Sequence, residues 1–561
     1  MKSSAAMNIS NDYRSNLANQ YDVVVIGGGI YGATMAWETT SRGLKTLLVE
    51  RNDFGAQTSA NSLKIIHGGF RYLQDLDLKR LRESAKEQAT LQYIAPHLVK
   101  PLECIMPTYR GLTRNRFVMQ SGVMVYQLFS FNCNSRLADW QHLPRGGTMS
   151  LQKLTERLPS LHDKRVTGAA RWYDAQAFNT ERLVLSFVMS AARFGAHVRN
   201  YTEAVELLSK QGQVAGIRLR DQLTSELHEI ETKIIIDCTG PWQLTKEWYG
   251  PVELHEVMPR QQVRAWNVIV CRPLAHMAVG FRVPDGGDQT HGSGRLLFAA
   301  PWREGTIIGT WYDDTKLGEG SPSAQEISHC LDEVNKAFPG ANFGIDDVTR
   351  VHTGWLPGVS GADSRFEPVL QKQTRVEQAQ NHGGPEGLIF VQGIKYTTAR
   401  AVAESVVSKL ASCCKMQHLK PSISANTRLY GAAFDDFQAY SQFIYRKYQD
   451  RFPTNTLRHL LQNYGSLTDK ILTYADKQPE LANLIPGQDV AICAEVEFVI
   501  NNEFTCHLSD LILRRTDLGS LKCPTEPVIE YCADRLGEAR GWKTEERARN
   551  IAELLTAYTA W

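Results

Sequence analysis

The stretch YDVVVIGGGIYGATMAWETTSRGLKTLLVERN, residues 21–52, constrains the fold more than any other part of this 561-residue chain. An apolar strand over 21–26 runs into a glycine turn, a helix follows, and a second strand over 45–50 closes on an acid. Gly27, Gly29 and Gly32 fit the pattern GxGxxG. In such a unit the first glycine makes the turn, the second admits a pyrophosphate, and the third lets the helix pack on the strand. The start of the helix stabilises phosphate charge, and Glu50 is placed to accept hydrogen bonds from a ribose. GxGxxG alone is weak evidence. Strand, helix, second strand and acid at the right spacing together predict a dinucleotide-binding α/β unit.

The surroundings choose the dinucleotide. A nicotinamide-nucleotide domain continues with regular βα units, but this chain runs into RNDFGAQTSANSLKIIHGGFRYL (51–73), a polar helix over 77–95 and a long excursion. Rossmann-type pieces return much later. KIIIDCTGPW (233–242) is a buried strand ending in a turn at Thr239-Gly240. GLIFVQGIKYTTARAVAESVVSKLA (387–411) is a strand, a glycine turn at Gly393 and a helix capped by Thr397 or Thr398. A nucleotide unit assembled from pieces near residues 25, 237 and 395, with a substrate domain inserted, predicts FAD. The positive end of the last helix suits an anionic, reduced flavin.

Composition sets the class. A chain that is 43% hydrophobic and 22% charged, with a net charge of +2, is a soluble globular protein and not a strongly basic nucleic-acid binder. Its eleven cysteines lack CxxC spacing, which argues against a zinc or iron–sulfur site and against a disulfide framework. No metal is expected, and the cytoplasm is the simplest compartment. The first twenty residues have no apolar segment and read as a frayed tail, not a signal peptide. No stretch approaches the ~20 apolar residues of a membrane-spanning helix.

The segment SLKIIHGGFRYL (62–73) gathers Lys64, His67 and Arg71 around two glycines. Backbone that approaches a planar ring needs glycine, and a fixed guanidinium fork suits a phosphate or carboxylate. Arg71 also reads as a helix-start cation paired with Asp75 or Asp77, and His67 as a buried histidine satisfied by backbone. Lys395, in the turn VQGIKYTTAR, either touches the flavin, points at an anionic substrate or faces solvent.

With these motifs the chain resembles the FAD-dependent glycerol-3-phosphate dehydrogenases, within the D-amino-acid-oxidase-like flavoproteins. The resemblance runs from about residue 21 to about 558, through VVVIGGGIYGA, TSANSLKIIHGGFRYL, APHLVKPL, RLLFAAPWREGTIIGT, GIKYTTAR, YGSL and LSDLILRRTDLG. It implies a Rossmann-type FAD-binding domain (21–100, 165–245 and 350–412), an inserted α+β substrate domain (101–164 and 246–349) and a helical C-terminal cap (430–561). It implies that Thr58, Ser59, Ser62, Lys64 and the His67-Gly68-Gly69 turn lie along the cofactor, while Arg71 and Tyr72 enter the substrate pocket. Arg365, in GADSRFEP, matches an arginine that contacts the substrate phosphate.

The departures from the family pattern matter as much. Leu356, in TGWLPG, stands where the family has an active-site arginine. Depending on a one-residue shift, Trp266 or Asn267 replaces a strand histidine, and GTWYDDT puts Trp311 in a loop near the flavin. Loss of a guanidinium from a buried phosphate site costs several kcal/mol. The pocket is therefore expected to bind Leu356, Asn267, Trp311, Arg71, Arg365 and Lys395 against the substrate. Candidates for the catalytic base are His352, Lys395 and Tyr72. His352 shares one face of its strand with residues 354 and 356 by the period of two.

The expected activity is oxidation of a secondary alcohol on a small anionic polyol by hydride transfer to flavin N5, with electrons passed to a quinone or another acceptor. A flavin oxidase or amine dehydrogenase with a different substrate, and a flavoprotein that has lost catalysis, are the alternatives. RNRFVMQSGVMVYQLFSFNCNSR (114–136), with basic ends and an apolar middle, reads as a core helix of the substrate domain or as a peripheral membrane contact on the inner face of a membrane. The C-terminal region reads as helical, a cap or a homodimer surface with no visible chemistry.

Overall fold

The computed structural model describes residues 17–112, 114–161, 164–242, 248, 261–283, 295–313, 320–358, 370–413 and 419–559. A six-stranded sheet carries the nucleotide motif. In spatial order its strands are Arg375–Gln378, Leu388–Gln392, Ile235–Asp237, Val23–Ile26, Thr46–Val49 and His197–Arg199. All pairs are parallel except the first. Every side chain of Val23–Ile26 and Thr46–Val49 is buried, as the unbroken apolar runs of both strands require in a sheet covered on two faces.

The helix Ile30–Ser41 is buried along almost its whole length. It packs between the helices Thr180–Arg193 and Ala399–Cys413, which join the early, middle and late parts of the chain in one layer. Gly32 makes this packing possible: a Cβ there would sit 1.7 Å from the Gly27 carbonyl oxygen. Chain order reverses on either side of Val23–Ile26, and this switch point opens a crevice at the carboxyl ends of the strands.

The second large sheet has nine strands. Val348–Gly358, Gln261–Val270, Gly305–Asp313, Leu296–Trp302, Ala278–Arg282, Val99–Tyr109, Val166–Ala177 and Ile65–Ile66 follow in order, with Gly147–Ser150 paired to Val166–Ala177. Helix Ala324–Ala337 covers it with Ile327, Cys330, Leu331 and Val334, and starts in a capping box of Ser323 and Glu326. Two boundaries differ from the sequence reading. Val166–Ala177 and Val348–Gly358, expected in the nucleotide part, pair with substrate-domain strands, because their hydrogen-bonding partners are Val99–Tyr109 and Gln261–Val270.

The C-terminal region is helical from Phe437–Tyr448 through Thr544–Thr559, as its periodicity predicts. The helix Arg116–Phe129 departs from the first of its two readings, a core helix of the substrate domain. It buries only Val123 and Tyr126 and turns Phe117, Met124 and Leu128 outward, at 85%, 59% and 67% exposure. Among the described residues no helix is long and apolar enough to cross a membrane.

Candidate active site

A cavity of ≈ 380 Å³ lies in the crevice between the two large sheets. Gly27, Gly29 and Glu50 line it from the first βα unit, Thr239 and Gly240 from the third strand, and Gly393, Lys395 and Thr397 from the last. Gly27 has φ +98°, and an added Cβ would meet the Cys238 carbonyl oxygen at 2.6 Å. Gly29 faces the open cavity, where a Cβ would meet only Ser59 Oγ, at 3.1 Å. This is the cradle that a pyrophosphate needs beside a helix N-terminus. The Glu50 carboxylate accepts the Gly28 N–H at 2.6 Å and the Asn52 N–H at 2.9 Å, which fixes it at the rim. Burial pushes its carboxyl above the ordinary value, against those two N–H groups.

The segment after Glu50 closes the cavity. Thr58, Ser59 and Ser62 line it. Ser59 Oγ accepts the Ile30 N–H at 3.0 Å, and Thr58 Oγ1 exchanges hydrogen bonds with both backbone groups of Trp355. Lys64 does not follow. Its ammonium turns away from the cavity into a buried ion pair with Glu181 at 2.8 Å, and it also bonds Thr180 and the Ala60 carbonyl. Burial pulls its pKa down to about 8 while Glu181 opposes the fall. The two glycines of the HGG turn are not cavity walls either. A Cβ at Gly68 would meet Tyr126 Oη at 2.1 Å, and Gly69, with φ +99°, abuts Leu81. They serve close packing of protein on protein.

His67 does line the cavity. Its Nδ1 lies 3.1 Å from Asp174 Oδ2. Asp174 is buried at 2% exposure, accepts the Gly68 N–H at 2.8 Å and is approached by Gln88 and the Trp172 indole N–H. Sequence reasoning missed Asp174. The only trace is a lone acid in the otherwise neutral inner face of Val166–Ala177.

Tyr72 and Lys395 meet in the same cavity, with the ammonium 4.1 Å from the ring centroid. Burial, and then the nearby Arg80, pull the Lys395 pKa down to about 8. Arg71 is exposed beside them and does not line the cavity. Leu356 and Asn267 are cavity walls. Asn267 bonds Thr310 Oγ1 at 2.8 Å and the Asn61 carbonyl at 3.2 Å, whereas Trp266 points into the substrate-domain core. Trp311 likewise lies outside the cavity lining. It is buried in that core with its indole N–H on Glu333, and its neighbours Thr310 and Tyr312 face the cavity.

His352 does not reach the cavity either. It is fully buried and stands edge-on to Trp302. Its strand face is as expected, since Gly354 and Leu356 are walls, but the 58–64 segment crosses in front of it. Asn61 bonds the Thr353 carbonyl at 2.7 Å. Burial, then Lys64 and Arg350, hold His352 well below the usual histidine range. Arg365 lies outside the described residues.

Comparison with known proteins agrees with this geometry. Residues 22–408 match the FAD dependent oxidoreductase family, and residues 422–547 match the C-terminal domain of alpha-glycerophosphate oxidase. The chain is 30% identical to the mitochondrial glycerol-3-phosphate dehydrogenase of Rattus norvegicus over 96% of its own length and 73% of that protein. It is 30% identical to the glycerol-3-phosphate dehydrogenase of Synechocystis over 89% of each. The fold superposes on glycerol-3-phosphate dehydrogenase from Bacillus halodurans complexed with FAD with a TM-score of 0.73, at 23% identity and with 97% and 95% of the two chains covered. The glycine cradle, the fixed Glu50 and the late strand–turn–helix fit FAD, and the chain belongs to the FAD-dependent glycerol-3-phosphate dehydrogenase family, oxidoreductases that act on CH–OH groups.

Proposed function

We propose that the chain oxidises the secondary alcohol of a small anionic polyol to the ketone. When bound, FAD supplies the hydride acceptor at N5. The chain's own residues supply the rest. His67 is the proton acceptor: Nδ1–H donates to Asp174, which leaves the Nε2 lone pair free to take the hydroxyl proton as the hydride departs. Asp174 then faces an imidazolium. Lys395 neutralises the anionic group, and Tyr72 packs beneath its ammonium. Leu356 gives the cavity an apolar wall, so a hydroxylated anion longer than glycerol 3-phosphate fits better than glycerol 3-phosphate itself.

The observation that carries this reading is that His67, Tyr72 and Lys395 share one cavity with Gly29 and Glu50. The test is anaerobic mixing of the yellow holoenzyme with glycerol 3-phosphate, longer phosphorylated polyols and amines, followed by flavin absorbance. Bleaching by an anionic polyol is expected. Bleaching by amines alone would favour the amine dehydrogenase reading.

We further propose that the two electrons pass to a membrane quinone. The exposed face of Arg116–Phe129 continues into Leu112 and Phe131, at 92% and 74% exposure. Its apolar positions follow helical spacing, and Arg116 stands at its start, a pattern that suits an anionic lipid surface. Co-sedimentation with vesicles containing anionic lipid, lost in Phe117→Glu/Leu128→Glu, is the expected result. Equal sedimentation of both proteins would refute it.

A further inference from the structure

The C-terminal cap braces one wall of the cofactor cavity from behind. After Glu50 the chain makes a short loop whose residues Arg51, Asn52, Asp53 and Gly55 line that cavity. Gly55 N–H bonds the Gly28 carbonyl at 3.0 Å, which ties the loop to the glycine turn. The Asp53 carboxylate is held from behind, by the cap. Both Nη atoms of Arg515 reach it, at 2.7 and 2.6 Å, Arg514 Nε reaches it at 2.5 Å, and Asn200 bonds it at 3.0 Å. The next residue, Phe54, is 1% exposed and stands edge-on to Phe504 of the cap.

The cap is built to present these two arginines together. Leu511–Arg515 is a π-helical turn, closed by Thr516 N–H on the Leu511 carbonyl at 3.0 Å. Arg515 is itself anchored by the Glu503 carbonyl at 2.6 Å, and Arg514 by Asp510 at 2.7 Å. Asp510 in turn accepts the Cys506 and His507 N–H groups and the Tyr201 hydroxyl, while Tyr201 N–H bonds the Asn52 carbonyl of the cofactor loop. Burial acts to raise the Asp53 carboxyl, but the Arg515 and Arg514 guanidiniums outweigh it and hold the group ionised far below the usual range. A buried carboxylate with two guanidiniums loses heavily when one partner is removed, so the loop is not free to choose another position.

We infer that the cap sets the affinity for FAD through Asp53: the Arg514–Arg515 pair holds the 51–55 loop in its cofactor-binding position, and FAD in turn holds the cap closed. The second half follows from the first, because a coupling free energy between two sites is reciprocal. Asp53, Arg514 and Arg515 are positioning residues in this account.

The test is FAD titration of apoprotein by flavin fluorescence for wild type, Arg515→Met and Asp53→Asn, with far-UV circular dichroism to check folding. The dissociation constant is expected to rise about 5- to 150-fold in both variants. Arg535→Gln, which loses the Glu497 and Glu538 ion pairs inside the cap, is expected to bind FAD as wild type does. Should Arg515→Met fail to fold, hydrogen exchange of wild-type residues 503–516 with and without FAD reads the same coupling, and slower exchange with FAD is expected. Unchanged FAD affinity in a folded variant, or cap exchange indifferent to FAD, would overturn the inference.

Discussion

The molecule has two glycine clusters beside one cavity, and they do opposite work. In Gly27–Gly32 the missing side chains leave room for the cofactor and for the helix that binds it. In Gly68–Gly69 they leave room for Tyr126 and Leu81, and the histidine beside them lines the cavity. Both clusters sit in apolar sequence next to polar residues. A glycine pair therefore shows that something comes close, and only the fold shows whether it is a ligand or another part of the chain.

The largest effect expected is at Gly32. With a Cβ 1.7 Å from backbone oxygen, Gly32→Ala should cost more than about 4 kcal/mol and leave no soluble protein, whereas Gly29→Val should fold but lose FAD. A yellow Gly29→Val protein would break the contrast at its first term. Next comes His67→Asn, expected to slow flavin reduction by about two to four orders of magnitude at saturating substrate, with FAD content and thermal midpoint unchanged. A normal rate would return the base to Lys395 or Tyr72.

Gly68→Ala sharpens the other side of the comparison. Its Cβ overlaps a tyrosine hydroxyl, so it should destabilise by about 1–3 kcal/mol while FAD still binds, and Tyr126→Phe should restore part of the loss. FAD loss without a change in thermal midpoint would make the two clusters alike. The smallest effect concerns pH. Lys395 is cationic below about 8 and neutral above it. The KM for an anionic substrate should be flat below that pH and rise above it, by about tenfold per unit at most, and Lys395→Met should abolish the inflection.

What was legible in the sequence was what is local. Gly27, Gly29, Gly32 and Glu50 lie within one βαβ unit, and their spacing encodes the turn, the helix and the second strand directly. Asp174 was invisible because it meets His67 across a pairing of strands 107 residues apart in the chain. Trp311 lies in a strand, Gly305–Asp313, where alternation decides its side, and residues 310 and 312 take the cavity. His352 shows a subtler limit. Period two put it on the correct face, but where a cavity ends depends on what crosses it, and the Asn61–Thr353 bond belongs to no repeating pattern. Lys64 left the cavity for Glu181 because a buried ammonium needs a carboxylate, and the helix Thr180–Arg193 delivers one.

The tie between Asp53 and Arg515 spans 462 positions of the chain. It also sets an order of events during synthesis. When the nucleotide-binding turn leaves the ribosome, the strand Leu388–Gln392 that completes its sheet and the arginines that fix its loop have not been made. The last lining residue of the cavity is Thr397, but its 51–55 loop is braced only when nearly the whole polypeptide is present, so a chain cut short before Arg514 carries the glycine motif without the arginines that hold Asp53.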